Sequence, residues 1–246
     1  MSVDAEGSGW SMAPLERGEV QVWRVSATPE LVDAGVGLLS AEEVERMQRL
    51  RVPLARDEFV VGRALLRVLV GAVVGCSARK VRFDIGAAGK LSVGGGVEFN
   101  VAHSRGEVLI ALCRDAAVGV DVEWVNAGIE ALEVARSSFA AAEVLAVEAA
   151  DDAARVDAFY RVWVKKEAVV KAHGGGLVLG LDTFAVSANA TEEVVRLGEE
   201  WVVRGVEVRD GWMGALAVAV GGLRVRMVVP GVADVVGMLV RAQGSR

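Results

Sequence analysis

Cysteine and histidine are scarce in this chain, which has two of each: Cys76, Cys113, His103 and His173. They are scattered, so no Cys/His cluster has zinc-ligand spacing. The cysteines lie far apart in apolar settings and are expected as buried free thiols in a reducing compartment. Long apolar runs are missing too. The longest, such as VLVGAVVGCSA at 68–78, are closed by Arg67 and Arg79, well short of the ~20 residues that cross a bilayer. The opening MSVDAEGSGW is polar and acidic, so it is not read as an export leader. Nor is there a surplus of positive charge. The 27 basic residues are outnumbered by 33 acidic ones, which argues against a nucleic-acid binder working through a broad basic face. The expectation is a cytoplasmic monomer that engages neither membrane nor nucleic acid.

What is present is a folding sequence. It is 53% hydrophobic and 24% charged, and its 246 residues suffice for one large domain or two small ones. Strands are expected at 20–25, 81–83, 97–102, 107–113 and 118–125, from β-rich runs between turn signals. SAEEVERMQRL at 40–50 reads as a helix with Ser40 as N-cap and Glu43 three residues on, a capping box. A second helix is expected over Leu54–Val74, just past Pro53. Helical patterning returns over 130–149 and 151–172. Four strand-like runs follow (DTFAVS, EEWVVRGVEV, WMGALAVAV, LRVRMVV), then a short helix at 233–242. Residues 1–18 read as a loose leader. The order strand, helices, strands occurs twice without a residue-level repeat. It predicts an α+β fold of two halves, 1–116 and 117–246, with a seam near Arg114–Val118 where a ligand is favoured.

One helical stretch is unusual. VWVKKEAVVKAHGGGL at 162–177 sets Lys166 inside the apolar arc of Phe159, Val162, Trp163, Val169 and Val170. Glu167 and Lys171, four apart, fall together at its border. An ordinary helical ion pair and a snorkelling lysine would account for these charges. A bound anion and cation would match them as well. Lys165 falls on the arc with Arg161 and Ala172, which is expected to face solvent. The glycines at 174–176 end the helix and let backbone or ligand come close.

A second cluster supplies a partner. Asp121 and Glu123 are two apart on an expected strand, so they share one face. Unpaired, they repel, and a hard cation such as Mg²⁺ between them would relieve that. Glu167 would make a third carboxylate. FNVAHS at 99–104 is read as the end of a strand turning through His103 and Ser104, with Gly89–Lys90 in a loop before it.

In order, the chain carries G-K (89–90), F-N-V-A-H-S (99–104), G-V-D-V-E (119–123), S-S-F-A-A-A-E (137–143) and W-V-K-K-E-A-V-V-K (163–171). From about Glu42 to Phe184 it closely resembles the surfactin-synthetase type of 4′-phosphopantetheinyl transferases. The resemblance implies a pseudo-twofold pair of α+β halves with coenzyme A and Mg²⁺ bound between them. A serine of an apo acyl or peptidyl carrier protein would attack the β-phosphate of coenzyme A. It would accept the phosphopantetheine arm, and 3′,5′-ADP would leave. By the same resemblance Asp121, Glu123 and Glu167 are the metal ligands. His103 meets the nucleotide phosphates, with Lys90 and Arg46 near the adenosine end. Lys166 and Lys171 face phosphate, and Glu143 is the acidic residue of the middle motif. Glu167 and Glu143 both remain open as the base for the serine. Ala102 stands where the family often has Ser, and Leu91 where Pro often follows G-K, so one hydroxyl contact to coenzyme A is expected to be absent. Two other readings are a non-catalytic carrier-binding subunit and a different Mg²⁺-dependent enzyme that cuts a diphosphate.

Overall fold

The computed structural model describes residues 12–86, 89–176, 179–219 and 221–244. The elements in chain order are β1 (Glu19–Ser26), α1 (Pro29–Gly35), α2 (Ala41–Arg49), α3 (Pro53–Val74), β2 (Asp84–Ile85), β3 (Leu91–Ser92), β4 (Glu98–Ser104), β5 (Glu107–Cys113) and β6 (Val118–Trp124). There follow α4 (Ala131–Ser138), α5 (Ala141–Ala149), α6 (Asp152–His173), β7 (Glu192–Leu197), β8 (Glu199–Val206), β9 (Trp212–Val218), β10 (Arg224–Val228) and α7 (Val232–Gly244). The class is α+β. The first eleven residues of the expected leader lie outside the described residues, as does Leu177. Among the described residues no helix is long and apolar enough to cross a membrane. Cys76 and Cys113 are free thiols, the second buried.

Two four-stranded sheets form the frame, one in the order β10-β1-β5-β4 and the other β6-β9-β8-β7. Strand alternation sorts their side chains. Val20 and Val22 of β1, Leu109 and Ala111 of β5, Val118, Val120 and Val122 of β6, and Leu216 of β9 share one core with residues from both sheets. The opposite face of β1 and β5, through Trp23 and Ile110, packs with α1, α3 and α7. The opposite face of β9, through Ala215 and Ala217, packs with α4, α5 and α6. Each sheet thus carries a long helix of 22 residues on its outer side, α3 on one and α6 on the other.

The division at 116/117 needs one correction. The last strand, β10, leaves the second half and pairs parallel to β1, with Val22 opposite Met227. Helix α7 then buries Val235, Met238 and Leu239 in the same core as α1 and α3. By packing, residues 224–244 belong with the first sheet. A chain returning from the end of the sequence to an open sheet edge leaves no local signal.

Two expected strands are absent. Residues 81–83 are not part of any strand, and the two-residue β2 follows them. DTFAVS is irregular apart from a turn of 3₁₀ helix at Leu181–Thr183. Phe184 and Val186 are buried there, and the carbonyls of Leu181, Phe184 and Ser187 are taken by lysine ammonium groups of α6. That substitutes for a strand partner. Strand β7 was not anticipated: EEVVRL is mostly exposed at a sheet edge and alternates poorly. The capping box at Ser40 is formed, with Ser40 accepting from the Glu43 N–H and Glu43 accepting from the Ser40 N–H.

Candidate functional site

The seam between the sheets is set by β4 and β6, each at a sheet edge. Their backbones do not form a ladder. Side chains of β4 satisfy the edge of β6 instead. Asn100 Oδ1 accepts from the Val120 N–H at 3.0 Å, and Ser104 Oγ accepts from the Trp124 N–H at 3.0 Å. Edge N–H groups left bare would otherwise have to find water or another chain. β4 therefore has two faces with separate tasks. Asn100, Ala102 and Ser104 alternate with Phe99, Val101 and His103, and the second set looks toward α3.

On β6, Gly119, Asp121 and Glu123 point away from the inter-sheet core, toward α6. A Cβ at Gly119 would collide with the carbonyl oxygen of Ala168 and the backbone nitrogen of Ala172. The missing side chain lets α6 lie directly on the strand. That contact brings Lys171 over the strand, and its Nζ donates to Asp121 Oδ1 at 2.5 Å. Glu123 accepts from Ser104 Oγ at 3.0 Å.

The three carboxylates are electrostatically uneasy. Burial pushes Asp121 above the usual aspartate value, against the pull of Lys171. Burial, and then the Asp121 charge, push Glu123 and Glu167 up as well. Asp121 Oδ2 is buried and has no hydrogen-bond partner. A buried carboxylate oxygen without a donor calls for a positive partner. The donor set is all oxygen, which suits a hard cation such as Mg²⁺. The present arrangement is not a finished metal cage. Among the described residues no three His, Cys, Asp or Glu side chains converge closely enough to hold an ion. Lys171 occupies one oxygen of Asp121, and Ser104 holds Glu123 aside. The residues fit a cation by the chemistry of their oxygen donors and by the orphaned Asp121 Oδ2.

Beside this cluster lies a cleft of two neighbouring cavities that share Gly89, Lys90, Asn100 and Val101 in their walls. One, of about 670 Å³, is lined by Glu167, Lys171, Trp163, Ser138, Lys90 and residues 179–182. The other, of about 200 Å³, is lined by Arg46, Glu58, Arg63, Lys90 and His103. Lys90, at the end of the turn between β2 and β3, borders both. Its Nζ donates to the Ala172 carbonyl at 2.7 Å, and burial pulls its ammonium below the usual lysine range. Arg46 stacks its guanidinium on Phe59, 5.4 Å from the ring centroid.

Of the residues expected at the site, then, Arg46, Lys90, His103, Glu167 and Lys171 line the cleft. Asp121 adjoins it through Lys171, and Glu123 stands within charge range of Asp121 and of the lining residue Glu167. Three do not belong to it. Lys166 is fully buried, and its Nζ meets Glu143 Oε1 at 2.8 Å, the Leu181 carbonyl at 2.7 Å and the Phe184 carbonyl at 2.5 Å. Its ammonium sits 4.3 Å from the centroid of the Phe184 ring. The expectation of a phosphate-facing Lys166 is corrected: it is a strut between α6 and the segment that walls the cleft. Glu143 is likewise committed, accepting from Lys166 and from the N–H groups of Ala140 and Val186. It is 2% exposed, which removes it as a base for an incoming hydroxyl. Ala102 is buried in the core between the sheets. Strand alternation turns it away from His103, so a hydroxyl at 102 would not reach a ligand beside that imidazole.

Lys165 is corrected too. It is buried, not solvent-facing, and donates to Ser187 O, Ala190 O and Glu193 Oε1 at 2.5, 2.7 and 2.9 Å. The wheel argument assumed one wet side, but sheet and loops enclose α6 on nearly every side. His103 and Ser104 lie within β4, and the turn follows at Arg105–Gly106, where both residues have positive φ. That is the geometry a two-residue hairpin requires. Glu58, Asn100 and Ser104 were not among the expected site residues, although the last two lie in the F-N-V-A-H-S motif. Alternation along β4 was the signal that could have found the last two.

Comparison with known proteins bears on this geometry. A model of the 4′-phosphopantetheinyl transferase superfamily matches residues 117–205, which span β6, α6 and β8. The 4′-phosphopantetheinyl transferase AcpT of Salmonella typhimurium is 31% identical over 165 residues, covering 65% of this chain and 82% of the relative. The 4′-phosphopantetheinyl transferase HetI of Nostoc sp. is 28% identical over 210 residues, 82% of this chain and 88% of the relative. The 4′-phosphopantetheinyl transferase Sfp of Bacillus subtilis is 27% identical over 161 residues, 65% of this chain and 70% of the relative.

Proposed function

As a member of the 4′-phosphopantetheinyl transferase superfamily, this chain is an enzyme that transfers phosphopantetheine, and we propose that its donor is coenzyme A and its acceptor a serine of an apo acyl or peptidyl carrier protein. The reaction releases 3′,5′-ADP and depends on Mg²⁺. The observation that carries this reading is the meeting of Asp121, Glu123, Glu167 and Lys171 at a cleft rimmed by Lys90, Arg46 and His103. The order of motifs along the chain supports the surfactin-synthetase type. Two four-stranded sheets, each with a 22-residue helix, support a pseudo-twofold pair of halves. We place the protein in the cytoplasm as a monomer.

Each residue has a task. Asp121, Glu123 and Glu167 would hold Mg²⁺, which when bound would supply charge neutralisation at the diphosphate. Lys171 moves from Asp121 to a phosphate oxygen and stabilises the charge that develops on the leaving phosphate monoester of 3′,5′-ADP. His103, Lys90 and Arg46 hold the nucleotide end of coenzyme A. Glu167 lines the cleft and takes the proton of the attacking serine, since Glu143 is closed off beneath Lys166. Lys166 fixes the 179–184 segment that walls the phosphopantetheine side. The serine oxygen bonds to the β-phosphorus and the bond to the bridging oxygen of 3′,5′-ADP breaks.

The test is mass spectrometry of several apo carrier proteins incubated with coenzyme A, Mg²⁺ and the enzyme. A gain of one phosphopantetheine arm on the carrier serine is expected, abolished by chelation. Turnover of coenzyme A with no acceptor present would point instead to a diphosphate-cleaving enzyme.

A further inference from the structure

Glu58 lies in the second turn of α3 with its side chain 6% exposed, and it meets His103 of β4, whose side chain is 45% exposed. One carboxylate oxygen, Oε1, accepts from the Gly106 backbone N–H at 2.6 Å. The other, Oε2, is 2.9 Å from His103 Nδ1. A backbone N–H can only donate, so Oε1 is an acceptor. Burial by itself would raise Glu58, but the hydrogen bonds from His103 and Gly106 outweigh it and hold the carboxyl below the usual glutamate range. Glu58 is then ionised near neutral pH and accepts through both oxygens. His103 Nδ1 therefore carries a proton.

This has a chemical consequence for the cavity. A neutral imidazole has one N–H. Glu58 holds it at Nδ1 and leaves Nε2 as a bare lone pair. A phosphate oxygen also offers only lone pairs. The neutral ring in this tautomer cannot bond to it, whereas the imidazolium donates to Glu58 and to the phosphate at once. We propose that Glu58 is a positioning residue that makes the His103–phosphate contact conditional on a proton, so that a phosphate bound in this cavity takes up a proton on His103. The inference rests on reading the cavity as the coenzyme A phosphate site. Other charges also bear on the imidazole: Arg46 from α2, Arg63 from α3 and Lys90 before β3 line the same cavity, and Asp121 of β6 interacts with it through space. They are common to wild type and variant, as is the titration of the ligand's own phosphates, so a comparison of the two isolates Glu58.

The variant is Glu58→Gln. Its oxygen can still accept from Gly106, while its amide donates to Nδ1 and moves the neutral proton to Nε2, where it can reach phosphate. Coenzyme A binding is measured by calorimetry from about pH 6 to about pH 9, together with the protons taken up on binding. Wild-type affinity should fall as pH rises, by up to about tenfold per pH unit beyond that of Glu58→Gln. The same slope and the same proton uptake in both proteins would overturn the inference. A second readout needs no variant. The chain has only two histidines, so ¹⁵N spectra of the wild type can resolve His103 and should show the Nδ1–H tautomer once the ring is neutral. An Nε2–H tautomer would overturn the proposal. His103→Ala separates the two levels. Undiminished coenzyme A binding in that variant at every pH would refute the phosphate reading itself. Weakened binding alongside an unchanged Glu58→Gln slope would refute only the role of Glu58.

Discussion

Lys166 Nζ lies 2.8 Å from Glu143 Oε1, with side chains 0% and 2% exposed. The ammonium spends its other protons on the Leu181 and Phe184 carbonyls. Cutting Lys166 to Ala strands a buried carboxylate, at a cost of about 3–5 kcal/mol. The urea midpoint should drop sharply, and the double change Lys166→Met with Glu143→Gln should cost less than Lys166→Ala alone. Unchanged stability with a raised KM for coenzyme A would mean that Lys166 reaches phosphate after all.

Lys165→Ala should also destabilise. Its ammonium has three partners in the 187–193 segment, and its side chain is 4% exposed. Loss of charge-assisted bonds of this kind costs about 1.5–3 kcal/mol, beyond the ±0.5 kcal/mol or so typical of a surface change. A melting curve within error of wild type would refute the tether.

At Asp121 stability and activity should part. The carboxyl is raised above its ordinary 3.8 by burial. The folded state holds that proton more tightly than the unfolded chain does, so ionised Asp121 subtracts stability above this range. Asp121→Asn removes the charge and should leave the melting temperature unchanged or higher while transfer is lost. A lowered melting temperature would mean that the Lys171 pair outweighs the burial cost.

Lys171→Ala should lower kcat by roughly 10²–10³, the usual effect of losing one donor to developing charge. Coenzyme A affinity should change little. Steady-state transfer to an apo carrier separates the two, and a change confined to KM would assign Lys171 to ground-state binding.

Gly119→Ala should displace α6, because the new methyl meets helix backbone at Ala168 and Ala172 and no flexible side chain. Overpacking of this kind costs about 1–3 kcal/mol or more. Transfer should fall further than stability alone explains, since Glu167 and Lys171 move with the helix. Near-wild-type turnover would show that the strand–helix contact does not set the site.

Acid stability should depend on Glu43. Burial raises this carboxyl, but Arg67, the Ser40 N–H and Arg63 together hold it below its ordinary 4.5. Its contribution is complete above that value and is lost as pH falls through the lower folded value. Glu43→Gln should flatten the acid limb of a stability-versus-pH curve, and an unaltered limb would count against the pairing.

Periodicity made most elements legible in advance. The capping box at Ser40, the long helices after Pro53 and Asp151, and the strands at 107–113 and 118–124 all follow from local rules of capping and side-chain period. So does the shared face of Asp121 and Glu123, because a strand alternates whatever surrounds it. Spacing also put Glu167 beside Lys171. What spacing could not reveal was which side of α6 is wet. That depends on segments far along the chain: 181–187, which covers Lys166, and 187–193, which covers Lys165. The pairing of β10 with β1 joins residues some two hundred apart in sequence, and no local pattern encodes it. Glu58 reads as one more surface charge on an arginine-rich helix until α3 is laid against β4. A side chain's residue type and its position on a strand or helix are local properties. Its desolvation, and the partner that decides its charge or tautomer, arise only when distant segments exclude water around it, and here that separates the lysine that guards the carboxylates from the lysine that braces the wall.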